Sequence, residues 1–492
     1  MQRFILSLAV IIPLLVCALP SKAQLWQNLD FSHKCDSSKT KLCSWELSWG
    51  DSIACRPEVI DGNQCLLIDN VKDGAVGFVE QSAQLEQKMG LATIQLSMRV
   101  RTDSVQGKGA GIVVSFYDSS GAFLTTKDMG YGTFNWIHGT TDWKQYSIAM
   151  VIPDDAAMVK IGAILYGKGR ARYDDVEVAI TPVSGRAGSK LAVDYISAAC
   201  DSIKLHSLVR DSLNIDSLKK IAISIAGPAK TLQECHVAVE YLLTSLRNYG
   251  DHHSFLMKPN EVANWESDST ETAGIQYCVA RVIDSCGYIM VPAFNGGNQK
   301  LMTSFCDSIQ EAFRRLDTMN IKGWIIDLRL NTGGNMEPML AGLGPIFDSE
   351  KLGSVIDVYG KAESWYYRNG VYYWEREALT KATNPVVLKK RRPVAVLLSP
   401  QTGSSGEAVA ISFIGNGKTR SFGEHTWGLT TGNGSFDLPD GARMKLASTV
   451  MADRNGNRYE NGVDPDVKID PKSKPGGDAV LWGAEEWIEG EK

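Results

Sequence analysis

The residues with the clearest chemical promise stand together at Ser399-Pro400-Gln401-Thr402-Gly403-Ser404-Ser405-Gly406-Glu407. An apolar run, Val394 to Leu398, precedes them, and a helix-like segment, Glu407 to Ile414, follows. A buried strand ends, small residues turn, and a helix begins. A serine on such a turn lies near the positive end of a helix, where backbone N–H groups lack intrahelical partners. Those groups can hold an oxyanion. Ser404 and Ser405 are therefore candidate nucleophiles; the alternative is a serine-glycine loop that only caps the helix.

Two other stretches carry chemistry. Arg329-Leu330-Asn331-Thr332-Gly333-Gly334-Asn335 follows the apolar strand Trp324 to Leu328. A Gly-Gly turn there brings backbone N–H groups close to whatever sits beyond the strand end, or is simply a tight turn. Asp251-His252-His253-Ser254-Phe255 follows a patterned helix. A loop histidine is a surface residue or a base; His425 is a third such residue.

The elements that must position these groups fall into blocks. Residues 1–23 read as a signal peptide, with Arg3, an apolar core from Phe4 to Leu19, and Ser21-Lys22-Ala23. The protein is expected to be exported, periplasmic or extracellular. Val16 before Cys17 disfavours a lipid anchor, and no later stretch is apolar enough to span a bilayer.

Residues 24–180 look all-β, because Ile94, Leu96, Met98 and Val100 alternate with polar neighbours and further strands follow at regular spacing. They predict a β-sandwich. Asp174-Asp175 could hold a structural calcium or cap a turn.

Thr181 to Lys190 reads as a linker. Helices are predicted over Leu191–Arg210 and Asp216–Ala226. A third starts at the capping box Thr231-Leu232-Gln233-Glu234 and ends at Gly250. From Gly274 the period changes to an α/β pattern, with a hairpin from Ile275 to Phe294 and a helix from about Gln299 to Asp317. A second hairpin turns at Asn369-Gly370, and its five aromatics cover a cleft or pack in the core.

The chain has 492 residues, 44% hydrophobic and 22% charged, with a formal net charge of -5 and no long basic block. That argues against nucleic acid as a partner. No Cys/His spacing points to zinc, so neither metal nor cofactor is expected. Cys35, Cys43, Cys55 and Cys65 crowd together and predict two disulfides of unassigned pairing, while Cys306 reads as a buried core thiol.

Six motifs occur in order: Asp-x-His-Ser, Gly-Tyr-Ile, Asp-Leu-Arg-x-Asn-x-Gly-Gly, Thr-x-Ser-x-Gly-Glu, Gly-Glu-x-Thr-x-Gly and Glu-x-Gly-Val-x-Pro-Asp. From about Leu191 to Asp470 the chain thereby resembles the tail-specific, or C-terminal-processing, serine peptidases and the tricorn protease core. The resemblance implies a crotonase-like α/β peptidase domain over 261–492. It implies Ser404 as nucleophile, His253 as base and Glu460 as the carboxylate that orients it. It implies an oxyanion hole from Ser405 and the Gly333-Gly334 turn, with Gly333 slightly favoured. Leu429 occupies the place of the lysine used by the Ser–Lys branch, so the His-based arrangement fits better. Only about thirty residues separate His253 from Gly287, too few for a PDZ module, since a domain needs at least about 50.

The N-terminal block is similar to galactose-binding-like jelly rolls, on Asn28-Leu29-Asp30-Phe31, Gly139 to Lys144 and Tyr173-Asp174-Asp175-Val176. That likeness raises a glycan contact. The whole implies an exported serine endopeptidase acting on protein or peptide substrates through an acyl-enzyme. The alternative is a non-catalytic ligand- or carbohydrate-binding protein on the same fold. A histidine base implies activity that rises with pH about a midpoint of 6 to 7.

Overall fold

The computed structural model describes residues 26–33, 42–49, 53–72, 75–86, 90–129, 136–183, 185, 188–267, 275–473 and 476–491. The signal-peptide reading of residues 1–23 falls outside them. Among the described residues no helix is long and apolar enough to cross a membrane.

The N-terminal region is a nine-stranded antiparallel sheet. Its organiser is one 26-residue strand, Ala92–Tyr117. Residues 92–103 of it pair with Gly169–Pro182, residues 93–110 with Ile137–Val151, residues 109–117 with Met158–Tyr166 and residues 114–117 with Phe123–Lys127. Apolar residues along the whole length of this strand join a single core, around Ile94, Leu96, Ile112 and Phe116.

Cys43 is disulfide-bonded, whereas Cys55 and Cys65 are free thiols. The expected second bridge is therefore absent. The register explains why: Cys55 pairs with Ile68 and Cys65 with Glu58, so the two thiols are offset along adjacent strands beyond disulfide reach. Burial pushes both thiols up to about 12. Asp174 accepts from Asn63 Nδ2 at 2.5 Å and Asp175 pairs with Arg99 at 3.2 Å.

The last strand runs through Pro182 and the first helix, Lys190–His206, starts eight residues later, so the connection is shorter than the composition implied. Ser189 caps that helix by accepting from the Ala192 N–H. The second helix is Ile215–Ala226. The third departs from expectation at its start. Thr231 Oγ1 does accept from the Glu234 N–H at 3.4 Å, but the Glu234 carboxylate reaches the Lys230 N–H instead of Thr231. The box therefore closes a short 3-10 turn, and the α-helix proper is His236–Ser245. Gly250, at φ 99°, ends the segment as read from the sequence.

These helices bury Tyr195, Ile196, Leu242 and Leu246 against Leu438, Met444 and Leu446 of the C-terminal region, and Leu91, Val151 and Val183 of the N-terminal sheet pack on the same cluster. The helical unit is thus a wedge between both neighbours.

The C-terminal region holds two sheets. The six-stranded sheet opens with the antiparallel hairpin Val279–Ile283 and Cys286–Met290 and continues in parallel through Gly323–Asp327, Val394–Leu398, Thr419–Gly423 and Val467–Lys468. Alternate residues face opposite layers. Trp324, Ile326, Val394 and Val396 pack under the helix Gln299–Leu316, and Ile325, Ala395 and Leu397 pack under Ala479–Gly490. Cys306 is fully buried in the first layer, and burial raises its thiol to about 12.

The second sheet has eight strands and is antiparallel. Its centre is Arg443–Asp453, which pairs with Phe255–Met257, Lys351–Asp357 and Thr431–Asp437. The Asn369-Gly370 hairpin is present, with φ 47° and 86° at its two turn residues.

Candidate active site

Two loops meet beyond the C-terminal ends of the parallel strands. The strand Gly323–Asp327 leads into the Gly-Gly turn, and Val394–Leu398 leads into the serine turn. Three hydrogen bonds stitch the loops together. Ser399 Oγ donates to Arg329 O at 2.6 Å, Thr402 Oγ1 to Leu328 O at 2.9 Å, and Gly403 N to Asn331 O at 3.0 Å. Arg329 in turn grips Asp327 and Asp478, which anchors the strand end to the C-terminal helix.

Ser404 sits at φ 52° and ψ -119°, a region that a non-glycine residue adopts only when its surroundings enforce it. The enforcing group is Glu407, one helical turn on in Ser405–Phe413. Its buried carboxylate accepts from Ser404 N at 2.7 Å, Thr426 Oγ1 at 2.6 Å, Gly428 N at 2.8 Å and Leu429 N at 2.9 Å. Burial raises its pKa above the ordinary carboxylate value, while those four donors pull it back. In the sequence Glu407 is only the last letter of the Thr-x-Ser-x-Gly-Glu motif. A carboxylate at the third position of a helix that opens on serine was the available signal.

The Gly-Gly turn fits against the serine. A Cβ on Gly333 would stand 2.8 Å from Ser404 Cβ, and one on Gly334 only 2.0 Å from Phe294 O; both residues also have positive φ, 110° and 103°. No side chain fits at either place. The two N–H groups differ. Gly333 N donates to Asn331 Oδ1 at 3.0 Å, so the preference for Gly333 as an oxyanion donor does not hold. Gly334 N and Ser405 N make no hydrogen bond among the described residues. Ser405 Oγ is occupied, donating to Gly334 O at 2.7 Å.

A cavity of about 590 Å³ opens over this point. Ser404, Ser405, Gly334 and His253 all line it. His253 is placed by its own loop: Asp251 Oδ1 accepts from the N–H groups of His253 and Ser254 at 3.0 and 2.9 Å, and Ser254 Oγ accepts from Ala447 N. Its Nδ1 lies 2.8 Å from Thr431 Oγ1. Burial lowers the imidazole pKa to about 4, against the opposing pull of Asp251 and Thr431. The ring is therefore neutral at pH 7.

The remaining sequence candidates lie elsewhere. His252 is exposed and off the cavity. His425 bonds Asn461 O at 2.6 Å and Asp464 at 3.2 Å, which fixes a surface turn. Glu460 is exposed, does not line the cavity, and has no hydrogen bond or ion pair among the described residues. The structure thus corrects its assignment as the partner of His253; Thr431 holds that nitrogen. Lys445 lines the cavity too, with Nζ 2.8 Å from Ser435 Oγ and a pKa lowered by burial. Of the aromatics on the Asn369-Gly370 hairpin, Tyr372 and Trp374 line the cleft and Tyr367 packs on the core. Among the described residues no group of three His, Cys, Asp or Glu could hold a metal.

Residues 285–469 match the model of Peptidase family S41. The chain is 26% identical over 277 residues to the nisin-resistance protein of Lactococcus lactis, covering 56% of this chain and 82% of that one. It is 26% identical over 188 residues to a carboxy-terminal processing protease of Bacillus subtilis, covering 38% of this chain and 35% of the relative. A solved lipoprotein from Streptococcus agalactiae superimposes with a TM-score of 0.50 at 26% identity, over 61% of this chain and 97% of its own.

Proposed function

From the premise that this chain carries a peptidase family S41 domain, with the serine-type hydrolase chemistry of that family, we propose that it is an exported peptidase with Ser404 as nucleophile and His253 as base. The observation that carries the assignment is the convergence on one cavity of a strained serine, two unpaired N–H groups and a neutral imidazole. In this reading His253 Nδ1–H donates to Thr431 Oγ1, which leaves Nε2 to take the Ser404 proton. Ser404 Oγ attacks the peptide carbonyl, and its oxygen enters the space between Gly334 N–H and Ser405 N–H. The imidazolium then protonates the leaving amine, and water repeats the sequence on the acyl-enzyme. Asp251 supplies the negative field a carboxylate partner would give, without touching the ring nitrogen.

The substrate in this reading is a protein or peptide. The galactose-binding-like character of the N-terminal sheet, and any glycan contact through it, belong to the same proposal as an accessory role. The test is hydrolysis of a casein-derived peptide mixture by the mature chain. Ser404→Ala is expected to abolish it and Ser405→Ala to retain it, since only the Ser405 backbone acts. Dependence on Ser405 in place of Ser404 would overturn the assignment.

A further inference from the structure

The cavity lining holds two unlike groups. One is Trp265 and Lys445, with Nζ 5.9 Å from the ring centroid. The other is Trp365, Tyr372 and Trp374, with Glu337 among them. That second group has features that the chain itself does not use.

Glu337 stands at the start of the helix Met336–Leu343. One carboxylate oxygen accepts from Thr380 Oγ1 at 3.0 Å, and among the described residues no lysine, arginine or histidine pairs with it. Glu377 adds a second negative charge nearby. Tyr372 is fully buried and its hydroxyl has no hydrogen-bond partner. Glu363, also on the wall, is already engaged by Lys361 at 2.7 Å and Trp374 Nε1 at 3.1 Å. Trp365 and Trp374 stack at 6.3 Å with an interplanar angle of 20°. An unmatched carboxylate, an idle hydroxyl acceptor and aromatic faces share one chemical complement, a cationic group on an apolar stem.

Its place relative to the reaction follows from the chain. The two unpaired N–H donors, Gly334 and Ser405, each lead within three residues to this wall, at Glu337 and at Ala408. This wall therefore lies within about 10 Å of a carbonyl held between those donors, near enough for a long side chain on the same substrate residue.

We propose that this wall of the cavity receives a lysine or arginine side chain from the substrate residue whose carbonyl Ser404 attacks. The stem packs against Val355, Met336 and Met451. The cationic head meets Glu337 and hydrogen-bonds to Tyr372 Oη. The inference rests on the peptidase reading of the cleft, and its test separates the two.

The experiment is a peptide panel with fixed flanks and lysine, arginine, norleucine, leucine or phenylalanine on the acyl side of the scissile bond, run with the mature chain alongside fluorophosphonate labelling. Lysine and arginine peptides are expected to exceed norleucine by about tenfold or more in kcat/KM, because a norleucine leaves the carboxylate unpaired. Glu337→Gln should collapse that ratio. A wild-type enzyme that labels but prefers leucine, phenylalanine or norleucine overturns the proposal and leaves the peptidase reading intact. A chain that neither labels nor cleaves any member overturns both. The wild-type ranking decides the matter even if the Glu337 variant fails to fold.

Discussion

The two halves of the proposed catalytic cleft are built differently. The nucleophile half comes from the ends of two adjacent parallel strands, Gly323–Asp327 and Val394–Leu398, whose loops are cross-bonded and locked by Glu407. The base half is assembled at long range. His253 hangs from the helical wedge, and its ring nitrogen is held by Thr431, 178 residues away, on the antiparallel sheet rather than the parallel one that carries the serine turn. Rigid, local construction suits the part that must hold an oxyanion within a few tenths of an ångström. The base needs only to reach a proton, and a single hydroxyl orients it.

That contrast yields perturbations of graded size. The largest concerns the base. His253→Ala should lower kcat/KM by about 100- to 10,000-fold, the usual range for a general base, with Ser404 still in its strained conformation. Lys445→Ala should keep most activity, although it lines the same cavity. If the lysine variant is the dead one, the base half has been misread.

Next comes Glu407. Replacing it by alanine strips four donors of one acceptor, and each buried donor left unpaired costs about 1 to 3 kcal/mol. A fall of at least about 3 kcal/mol in unfolding free energy is expected, together with loss of hydrolysis. A variant as stable as wild type would mean that the nucleophile half is not locked by this carboxylate.

A smaller effect is expected at Thr431. Thr431→Val frees the imidazole to rotate and should reduce kcat by about tenfold, with KM nearly unchanged. Glu460→Ala should leave kinetics at the wild-type level, because that side chain touches neither the histidine nor the cavity. The opposite ranking of these two variants would return the orienting role to the carboxylate.

The pH profile sharpens the comparison without mutation. A histidine of ordinary pKa would lose activity as pH falls through 6 to 7. Burial favours the neutral ring, and the folded pKa is lowered to about 4. The active, unprotonated base therefore persists through pH 5, and the acid limb of kcat/KM should lie near pH 4. A limb at 6 to 7 would show that the ring is better solvated than the structure places it.

The same contrast explains what was legible beforehand. The serine turn, the Gly-Gly turn and the helices Gln299–Leu316 and Ser405–Phe413 were readable because each depends on residues close in sequence. Choosing between Gly333 and Gly334 was beyond the sequence, since one glycine N–H looks like the next and the Asn331 side chain decides. Glu460 matched a motif, but a motif letter does not say where a side chain points. Thr431 carried no signal, because the hydroxyl becomes relevant only when Phe255–Met257 and Thr431–Asp437 both pair with Arg443–Asp453 and so bring it to His253. Cys55 and Cys65 misled for a related reason: closeness in sequence did not survive strand register.

The most direct measurement is the site of covalent capture. Folded mature protein is treated with a fluorophosphonate and digested, and the adduct is located by mass spectrometry. The account predicts one phosphonylated residue, Ser404, with labelling lost in Ser404→Ala and kept in Ser405→Ala. An adduct on Ser405, or none on a folded chain, would contradict it.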